Sequence, residues 1–208
     1  MPDFEFEKKY HAQGFNRIVG IDEAGRGPWA GPVVAAAVML YPQNTNGALL
    51  AELDDSKKLS APKRDALYEA LQQSADVGVG KASVEEIDTI NILQATFLAM
   101  TRAVESLPSA PDFALVDGNK LPPLSCPAEA IIKGDSRSLS IAAASIIAKV
   151  TRDRIMTELG EIHPGYAWEK NKGYGTKAHQ AGLEQRGVTE HHRKSYRPII
   201  NILSRADS

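Results

Sequence analysis

The chain has 208 residues, 43% of them hydrophobic, and a formal net charge of −2, which argues against simple electrostatic coating of a polyanion. This length suffices for one substantial core, so we expect a single domain over residues 1–208. One cysteine, a charged N-terminal stretch and no apolar run long enough to span a bilayer predict no internal disulfide, no signal peptide and no membrane role, so the expected compartment is the cytoplasm.

The first elements are two strands separated by a glycine-containing loop. Residues 18–21 predict a buried strand that ends in two adjacent carboxylates, Asp22 and Glu23. Residues 33–40 (VVAAAVML) predict a second buried strand, expected to pair with the first as a hairpin. The intervening GRGPWA, residues 25–30, satisfies a relaxed dinucleotide-binding pattern, but that fingerprint needs a helix after it, so we reject a dinucleotide cofactor.

The middle of the chain contains two helical signals. Ser60 and a proline near the first turn predict a helix that ends at about residue 73. Ser83 and Glu86 form a capping box that opens a second helix. Beyond this box, apolar residues recur at helical spacing and predict one continuous stripe packed in the core, formed by Leu93, Phe97, Met100 and Val104.

Two further strands end in acids, and a helix follows them. Residues 113–117 (FALVD) and 130–135 (AIIKGD) are short apolar runs that end in Asp117 and Asp135. The small side chains of residues 141–148 (IAAASIIA) predict a helix lying very close to the sheet. This alternation predicts an α/β layered fold with helices flanking a sheet, and the opening hairpin makes that sheet mixed. Residues from about 155 to 208 are expected to add helices and loops.

Three strand ends therefore carry four acids: Asp22, Glu23, Asp117 and Asp135. If the strands are neighbours, the carboxylates converge and repel one another unless a cation binds. Oxygen ligands without clustered Cys or His favour Mg²⁺ or Mn²⁺ over zinc, and two such ions would support phosphodiester hydrolysis. The alternative is that each acid only caps a helix or closes a turn, which is the better interpretation of any one of them alone.

Glycines flank both Arg26 and Tyr174. Gly25 and Gly27 would let the backbone approach a ligand such as a ribose 2′-hydroxyl, although a tight turn needing positive φ explains them equally well. Tyr174 is well placed as an exposed stacking surface, with a loop-anchoring tyrosine as the alternative.

The C-terminal part of the chain is basic. Residues 1–148 hold 13 Lys and Arg against 19 Asp and Glu, whereas residues 149–208 hold 11 against 7. Ser145, Lys149 and Arg152 recur at helical spacing as a polar stripe suited to phosphate contact, with ordinary solvated charge as the alternative. Residues 191–194 (HHRK) are interpreted as a surface segment lining nucleic acid, and we expect no metal site from the adjacent histidines, whose side chains diverge.

These motifs together resemble the bacterial type 2 ribonucleases H, the ribonuclease HII family. The resemblance runs through nearly the whole chain, in the order IDEAGRGP, AGPVVAAAV, DDSKKLS, EIDTINILQAT, LVDGN, IKGDS, AAASIIAKVTRD, KGYGT and HHRKSY. It implies a ribonuclease H-like fold in which Asp22, Glu23, Asp117 and Asp135 are the metal-binding catalytic acids.

The resemblance also implies substrate contacts. Gly25, Arg26 and Gly27 are similar to the loop that senses the 2′-hydroxyl at an RNA–DNA junction, and Tyr174 to the tyrosine that packs on the adjacent deoxyribose. Further contacts with the nucleic acid would come from Ser56, Lys57, Lys149, Arg152 and Thr176. One departure is Asn171, which stands where many relatives carry histidine and puts local loop contacts in doubt.

The implied enzyme is an endonuclease that needs two Mg²⁺ or Mn²⁺ ions, and we expect it to be a monomer. It would cut the RNA strand of RNA–DNA hybrids and incise duplex DNA on the 5′ side of single ribonucleotides, leaving 3′-hydroxyl and 5′-phosphate ends. From the residues alone, two other hypotheses stay open. One is a different carboxylate-metal enzyme, such as a DNA nuclease or phosphatase, and the other is a non-catalytic hybrid-binding module.

Overall fold

The structure, a computed structural model, describes residues 1–41 and 45–206. Within these ranges no helix combines the length and apolar character that crossing a membrane requires. The strands are β1 Ile18–Ala24, β2 Val33–Met39, β3 Asp76–Ala82, β4 Phe113–Asp117 and β5 Ala128–Ile131. The helices are α1 Glu5–His11, α2 Gly47–Glu52, α3 Ala61–Ser74, α4 Val84–Glu105, α5 Leu139–Ile162, α6 Trp168–Asn171, α7 Lys177–Arg186 and α8 Arg197–Ala206.

The strands form one mixed sheet in the order β3-β2-β1-β4-β5. β1 pairs antiparallel with β2, which confirms the expected hairpin, and β2 pairs antiparallel with β3. β4 runs parallel to β1, and β5 runs parallel to β4. The carboxyl ends of β1, β4 and β5 therefore lie at the same edge of the sheet.

Helices cover both faces of the sheet, as the α/β interpretation predicts. α4 packs on one face, where its small and apolar residues meet alternate side chains of β1 and β2. α5, with α3 beside it, covers the other face. Every residue of β2 is buried, because each of its two faces is covered by a helix.

The expected close approach of a helix to the sheet is confirmed in α5. Ala142, Ala143 and Ala144 are fully buried against the strands. On the facing strand β1, a Cβ added to Gly20 would overlap the backbone of Ser140 and Ile141. The absence of a side chain at Gly20 thus sets the distance between the first turn of α5 and the strand that carries Asp22.

Three local expectations need correction. α4 is broken at Asn91, which has φ 65° and whose side-chain oxygen accepts hydrogen bonds from the backbone N–H groups of Leu93 and Gln94. Asn91 therefore caps the second half of α4. The buried face of that half is centred on Ala95, Ala99 and Ala103, because only small residues fit against the sheet. Leu93 and Phe97 of the expected stripe are only partly buried.

The other two corrections concern Asp135 and Ser60. The apolar run 130–135 is a strand only to Ile131, and Asp135 sits in the 3-10 turn Gly134–Ser136 that follows. Ser60 is the N-cap residue of α3, but its side chain makes no capping hydrogen bond. The capping box of Ser83 and Glu86 is present in full.

A methyl group at position 20 tests the close packing of α5. Gly20→Ala should lower the free energy of unfolding by at least about 2 kcal/mol, because backbone rather than a flexible side chain blocks the space. Urea denaturation of both variants measures the effect, with Gly47→Ala as control. No atom lies within 4 Å of a Cβ at Gly47, so that change should stay within about 0.5 kcal/mol. Equal stability of the two variants would contradict the packing argument.

Candidate active site

The three acid-bearing segments lie side by side, as expected from their strands. Asp22 and Glu23 are at the end of β1, and Asp117 is the last residue of the neighbouring strand β4. Asp117 accepts a hydrogen bond of 2.7 Å from the backbone N–H of Gly134, and so positions the 3-10 turn that carries Asp135. The sheet thus brings all four predicted acids to one edge.

Burial and neighbouring charges raise the proton affinity of Asp22, Glu23 and Asp135. The pKa of Asp22, which is 7% exposed, lies well above its usual value because of burial and the nearby charges of Glu23, Asp117 and Asp135. Burial raises the pKa of Glu23 as well, with Arg26 opposing. The pKa of Asp135 is raised by burial and by its acidic neighbours Asp55 and Asp117. A bound cation would relieve this repulsion.

Two basic side chains partly offset the negative charge. Arg26 approaches Glu23 at 3.3 Å. Burial alone would lower the pKa of Lys57, but the surrounding carboxylates outweigh burial and the net pKa is raised. Asp55 is among those carboxylates, and the sequence does not single it out, because an acid in a polar loop predicts only a turn.

The donor set fits divalent cations that prefer oxygen ligands. All four groups are carboxylates, and no cysteine or histidine lies among them. They form an open rather than a closed set. Only one group of three possible ligands among the described residues has donor atoms that all lie within 4.8 Å of one another. It lies elsewhere, at His163, Glu190 and His191. An open set leaves room for ions together with water and substrate oxygens.

A cleft, which we call the acidic cleft, gathers most of the predicted site residues. Its lining consists of Asp22, Glu23, Ala24, Gly25, Arg26, Gly27, Ser56, Lys57, Ser145, Lys149, Arg152 and Tyr174. Asp117 and Asp135 are not part of this lining, but their charges act on Asp22, which is. Thr176 lies outside it and caps α7, where its hydroxyl accepts a hydrogen bond from the backbone N–H of His179.

Several polar side chains of the acidic cleft already have partners. Lys149 forms a 2.7 Å ion pair with Asp153. The backbone N–H of Ser56 donates to the hydroxyl of Ser145, which fastens the 54–58 loop to α5. Lys57 has no such hydrogen bond from its ammonium group among the described residues, so it is the lysine most available to a phosphate.

The glycine loop, residues 25–32, is held by a buried arginine from the far end of the chain. Arg193 is 0% exposed and donates hydrogen bonds to the carbonyl oxygens of Gly25, Arg26, Gly31 and Pro32. The Tyr196 hydroxyl donates to the same Arg26 carbonyl at 2.6 Å. The expectation that residues 191–194 form a surface segment is therefore wrong for Arg193 and for His192, which are both fully buried.

Arg152 is a second buried arginine that acts on the same loop. It is 1% exposed, and its guanidinium donates to the carbonyl oxygens of Ala30, Pro32 and Lys172. Burial and Arg193 lower its pKa to about 10, so it stays charged at neutral pH. These bonds do not fit the expected phosphate contact, because the guanidinium nitrogens are turned to carbonyl oxygens. Gly25 has φ 97°, and any side chain at this position would overlap the guanidinium of Arg152.

The tyrosine loop, residues 172–176, lies directly against the glycine loop. The N–H of Trp29 donates to the carbonyl of Gly173 at 2.8 Å, and a Cβ on Gly27 would lie 3.5 Å from the Tyr174 ring. Tyr174 is 48% exposed, as expected for a stacking surface. The side-chain amide of Asn171 donates a hydrogen bond to the carbonyl of Tyr166 and accepts one from the N–H of Gly173, so this residue fixes the start of the tyrosine loop.

A chain of buried rings fixes the backbone of Tyr174. The N–H of Thr189 donates to His192 Nδ1, which leaves the His192 Nε2 proton to donate to His179 Nε2 at 3.0 Å. Trp168 donates to the same His179 atom. His179 Nδ1 then carries the proton and donates to the Tyr174 carbonyl at 3.0 Å. Both histidines are neutral in this arrangement, and burial lowers the pKa of each, that of His192 to about 3.

Sequence comparison places these features in a known family. A family profile described as ribonuclease HII matches residues 19–199. A ribonuclease HII from Ruegeria pomeroyi is 58% identical over 203 residues, which cover 97% of this chain and 85% of the relative. The matched region contains all four acids, the glycine loop and the buried Arg193.

Structural comparison agrees. The ribonuclease H2 of Pyrococcus horikoshii superposes with a TM-score of 0.78 at 27% identity, covering 93% of this chain and all of the other. Bst-RNase HIII, solved in complex with Mn²⁺, superposes with a TM-score of 0.75 at 20% identity and covers 94% of this chain and 72% of its own. The architecture is thus the ribonuclease H-like α/β fold.

Replacing Arg193 tests its hold on the glycine loop. Arg193→Met should lower the free energy of unfolding by roughly 3 kcal/mol or more, because several buried carbonyls lose their donor. Chemical denaturation measures this, with Lys194→Met as the matched control. Lys194 is exposed, so its removal should cost less than about 0.5 kcal/mol. Similar losses in both variants would show that the arginine is not structural.

Acid should destabilise the protein through His179. Its folded pKa lies below the usual 6.5, so below pH 6.5 the unfolded chain binds a proton that the folded protein does not. Stability from this group is present above pH 6.5 and is lost as pH falls, by up to about 1.4 kcal/mol per pH unit. Asp22, Glu23 and Asp135, with raised pKa values, contribute a slope of opposite sign at low pH.

Comparison with His179→Gln isolates the histidine. Urea unfolding between pH 4 and 8 should show a smaller acid loss for this variant than for the unmodified chain, whereas His11→Gln, at an exposed position, should keep the full loss. A His179→Gln profile parallel to that of the unmodified chain would refute the neutral ring chain.

Proposed function

The chain belongs to the ribonuclease HII family, and we propose that it is an endonuclease that hydrolyses the RNA strand of RNA–DNA hybrids and incises duplex DNA 5′ of single ribonucleotides. Residues 1–208 would act as one catalytic domain and leave 3′-hydroxyl and 5′-phosphate ends. The single observation that carries this proposal is the meeting of four acids with a rigid glycine loop at one sheet edge.

Two Mg²⁺ or Mn²⁺ ions are proposed to bind at Asp22, Glu23, Asp117 and Asp135. The carboxylate donors suit such ions, and the pKa of Asp22 is raised by burial and by repulsion from neighbouring carboxylates, which divalent charge would relieve. The related fold of Bst-RNase HIII was solved with Mn²⁺. When bound, the ions supply an activated water and neutralise charge on the phosphodiester in an in-line displacement.

The residues of the chain would position the substrate around this centre. The glycine loop presents backbone groups near the acids, and Arg152 and Arg193 engage its carbonyls, so its conformation is set before substrate arrives. We assign to Gly25, Arg26 and Gly27 the recognition of the ribose 2′-hydroxyl, which is the atom that distinguishes RNA from DNA. A preformed loop reads this hydroxyl without the cost of ordering.

Tyr174 is proposed to pack on the sugar next to the ribonucleotide. Its ring is half exposed and faces Gly27, so a sugar held by the glycine loop would have an adjacent flat apolar surface. Lys57 is proposed to contact the phosphate backbone, since it lies at the acidic cleft with its ammonium unpaired among the described residues.

Cleavage of matched substrates tests the proposal. With Mg²⁺ or Mn²⁺, the protein should cut an RNA–DNA hybrid and should incise a duplex with one ribonucleotide on its 5′ side, but not the all-deoxy duplex that lacks this one hydroxyl. Asp22→Asn should lower the rate by more than about 100-fold while the protein stays folded. The control is Asp65→Asn, at an exposed acid in α3, which should leave the rate unchanged.

Other outcomes identify the rival functions. Equal cutting of the duplex with one ribonucleotide and of the all-deoxy duplex would indicate a carboxylate-metal nuclease that does not distinguish ribose from deoxyribose. Binding of the hybrid without cleavage in either metal would indicate a binding module. An Asp22→Asn variant as fast as the unmodified chain would refute the site.

A further inference from the structure

A second set of possible metal ligands lies at the carboxyl end of α5, away from the four acids. His163 is the C-cap residue of α5, and Glu190 and His191 precede the buried Arg193. One donor atom from each of these three residues lies within 4.8 Å of the other two, and His191 Nε2 is 4.0 Å from Glu190 Oε1. No other three possible ligands in the described ranges come this close.

The two imidazole rings are packed together but make no hydrogen bonds through their nitrogens within the described residues. The rings of His163 and His191 are 4.7 Å apart between centroids and nearly perpendicular. The buried Trp168 lies within about 6 Å of both rings and limits their movement. Lone pairs that no donor occupies, on rings that neighbours hold in place, are available to an ion.

The surroundings favour a cation. The last carbonyl groups of α5 give its end a partial negative charge, which attracts a cation. Glu190 is 82% exposed and can rotate towards the rings.

We propose that His163, Glu190 and His191 bind a transition-metal ion of the Zn²⁺ class, separately from the Mg²⁺ or Mn²⁺ proposed at the acids. Imidazole ligands suit Zn²⁺ and its neighbours and suit Mg²⁺ poorly, so the two sites would select different ions. Two histidines and one glutamate form a set known for zinc, with water in the fourth position. Tetrahedral coordination brings donor atoms to about 3.4 Å apart, so small side-chain rotations would suffice.

The position of the ion gives it a structural consequence. His163 belongs to α5, whereas Glu190 and His191 belong to the segment that supplies Arg193 to the glycine loop. His191 itself accepts a hydrogen bond at its backbone carbonyl from the N–H of Gly31. A bound ion would therefore join α5 to the segment that holds the glycine loop, and would stabilise that segment.

Zn²⁺ titration by calorimetry in excess Mg²⁺ tests the site. The unmodified chain should bind one Zn²⁺ under these conditions, and His163→Gln or His191→Gln should weaken binding by about 100-fold. Glu190→Gln, a change at an exposed side chain that cannot disturb folding, should weaken it by about 10-fold. Co²⁺ bound in place of zinc should show the visible absorption of tetrahedral coordination, which these variants should lose.

Two controls separate this site from other zinc ligands. Asp22→Asn removes an acid of the acidic cleft and His11→Gln removes an exposed histidine, so both should bind Zn²⁺ like the unmodified chain. Failure of the unmodified chain to bind Zn²⁺, or undiminished binding by His163→Gln and Glu190→Gln, would overturn the proposal. Loss of binding in Asp22→Asn would place the zinc at the acids and would overturn it too.

Discussion

The arrangement of the active site depends on two buried arginines whose partners are backbone carbonyls. Together, Arg152 and Arg193 donate hydrogen bonds to the carbonyl oxygens of five residues in the glycine loop and one residue in the tyrosine loop. A buried charge costs several kcal/mol unless polar groups replace its hydrating water. If the loops moved away, the two guanidinium groups would lose these partners, so the loops are held in place. The cations therefore fix the conformation of the backbone that meets the substrate.

This choice of partners also keeps the acids free. Had Arg152 or Arg193 paired with Asp22 or Asp135, the carboxylates would be neutralised and unavailable to metal ions. Carbonyl acceptors satisfy the guanidinium groups without using any acid, while Arg26 and Lys57 only partly offset the acidic charge. Burial, together with nearby carboxylates, raises the pKa values of Asp22, Glu23 and Asp135, and divalent charge entering the site would relieve the repulsion.

The parts of this structure that depend on local pattern could be predicted from the sequence. The hairpin, the helix after Ser60, the capping box and the convergence of acids at one sheet edge follow from apolar runs and their ends. β3 could not be predicted, because Gly78 and Gly80, whose missing side chains leave room for the backbone of α4, weaken the apolar alternation. The role of Arg193 could not be predicted either, because its acceptor at Gly25 is 168 positions away and is a main-chain oxygen, which no residue type signals.

Gly25 shows why two interpretations of one motif could not be separated by sequence. Its φ of 97° is the tight turn that the conservative interpretation requires. Arg152 fills the space that a side chain at Gly25 would occupy, and the carbonyl of Gly25 accepts a hydrogen bond from Arg193. Both arginines therefore contact the turn at this residue. A turn held in this way presents its remaining polar groups at fixed positions beside Glu23. The structural requirement and the proposed recognition of a sugar hydroxyl are therefore consequences of the same backbone geometry.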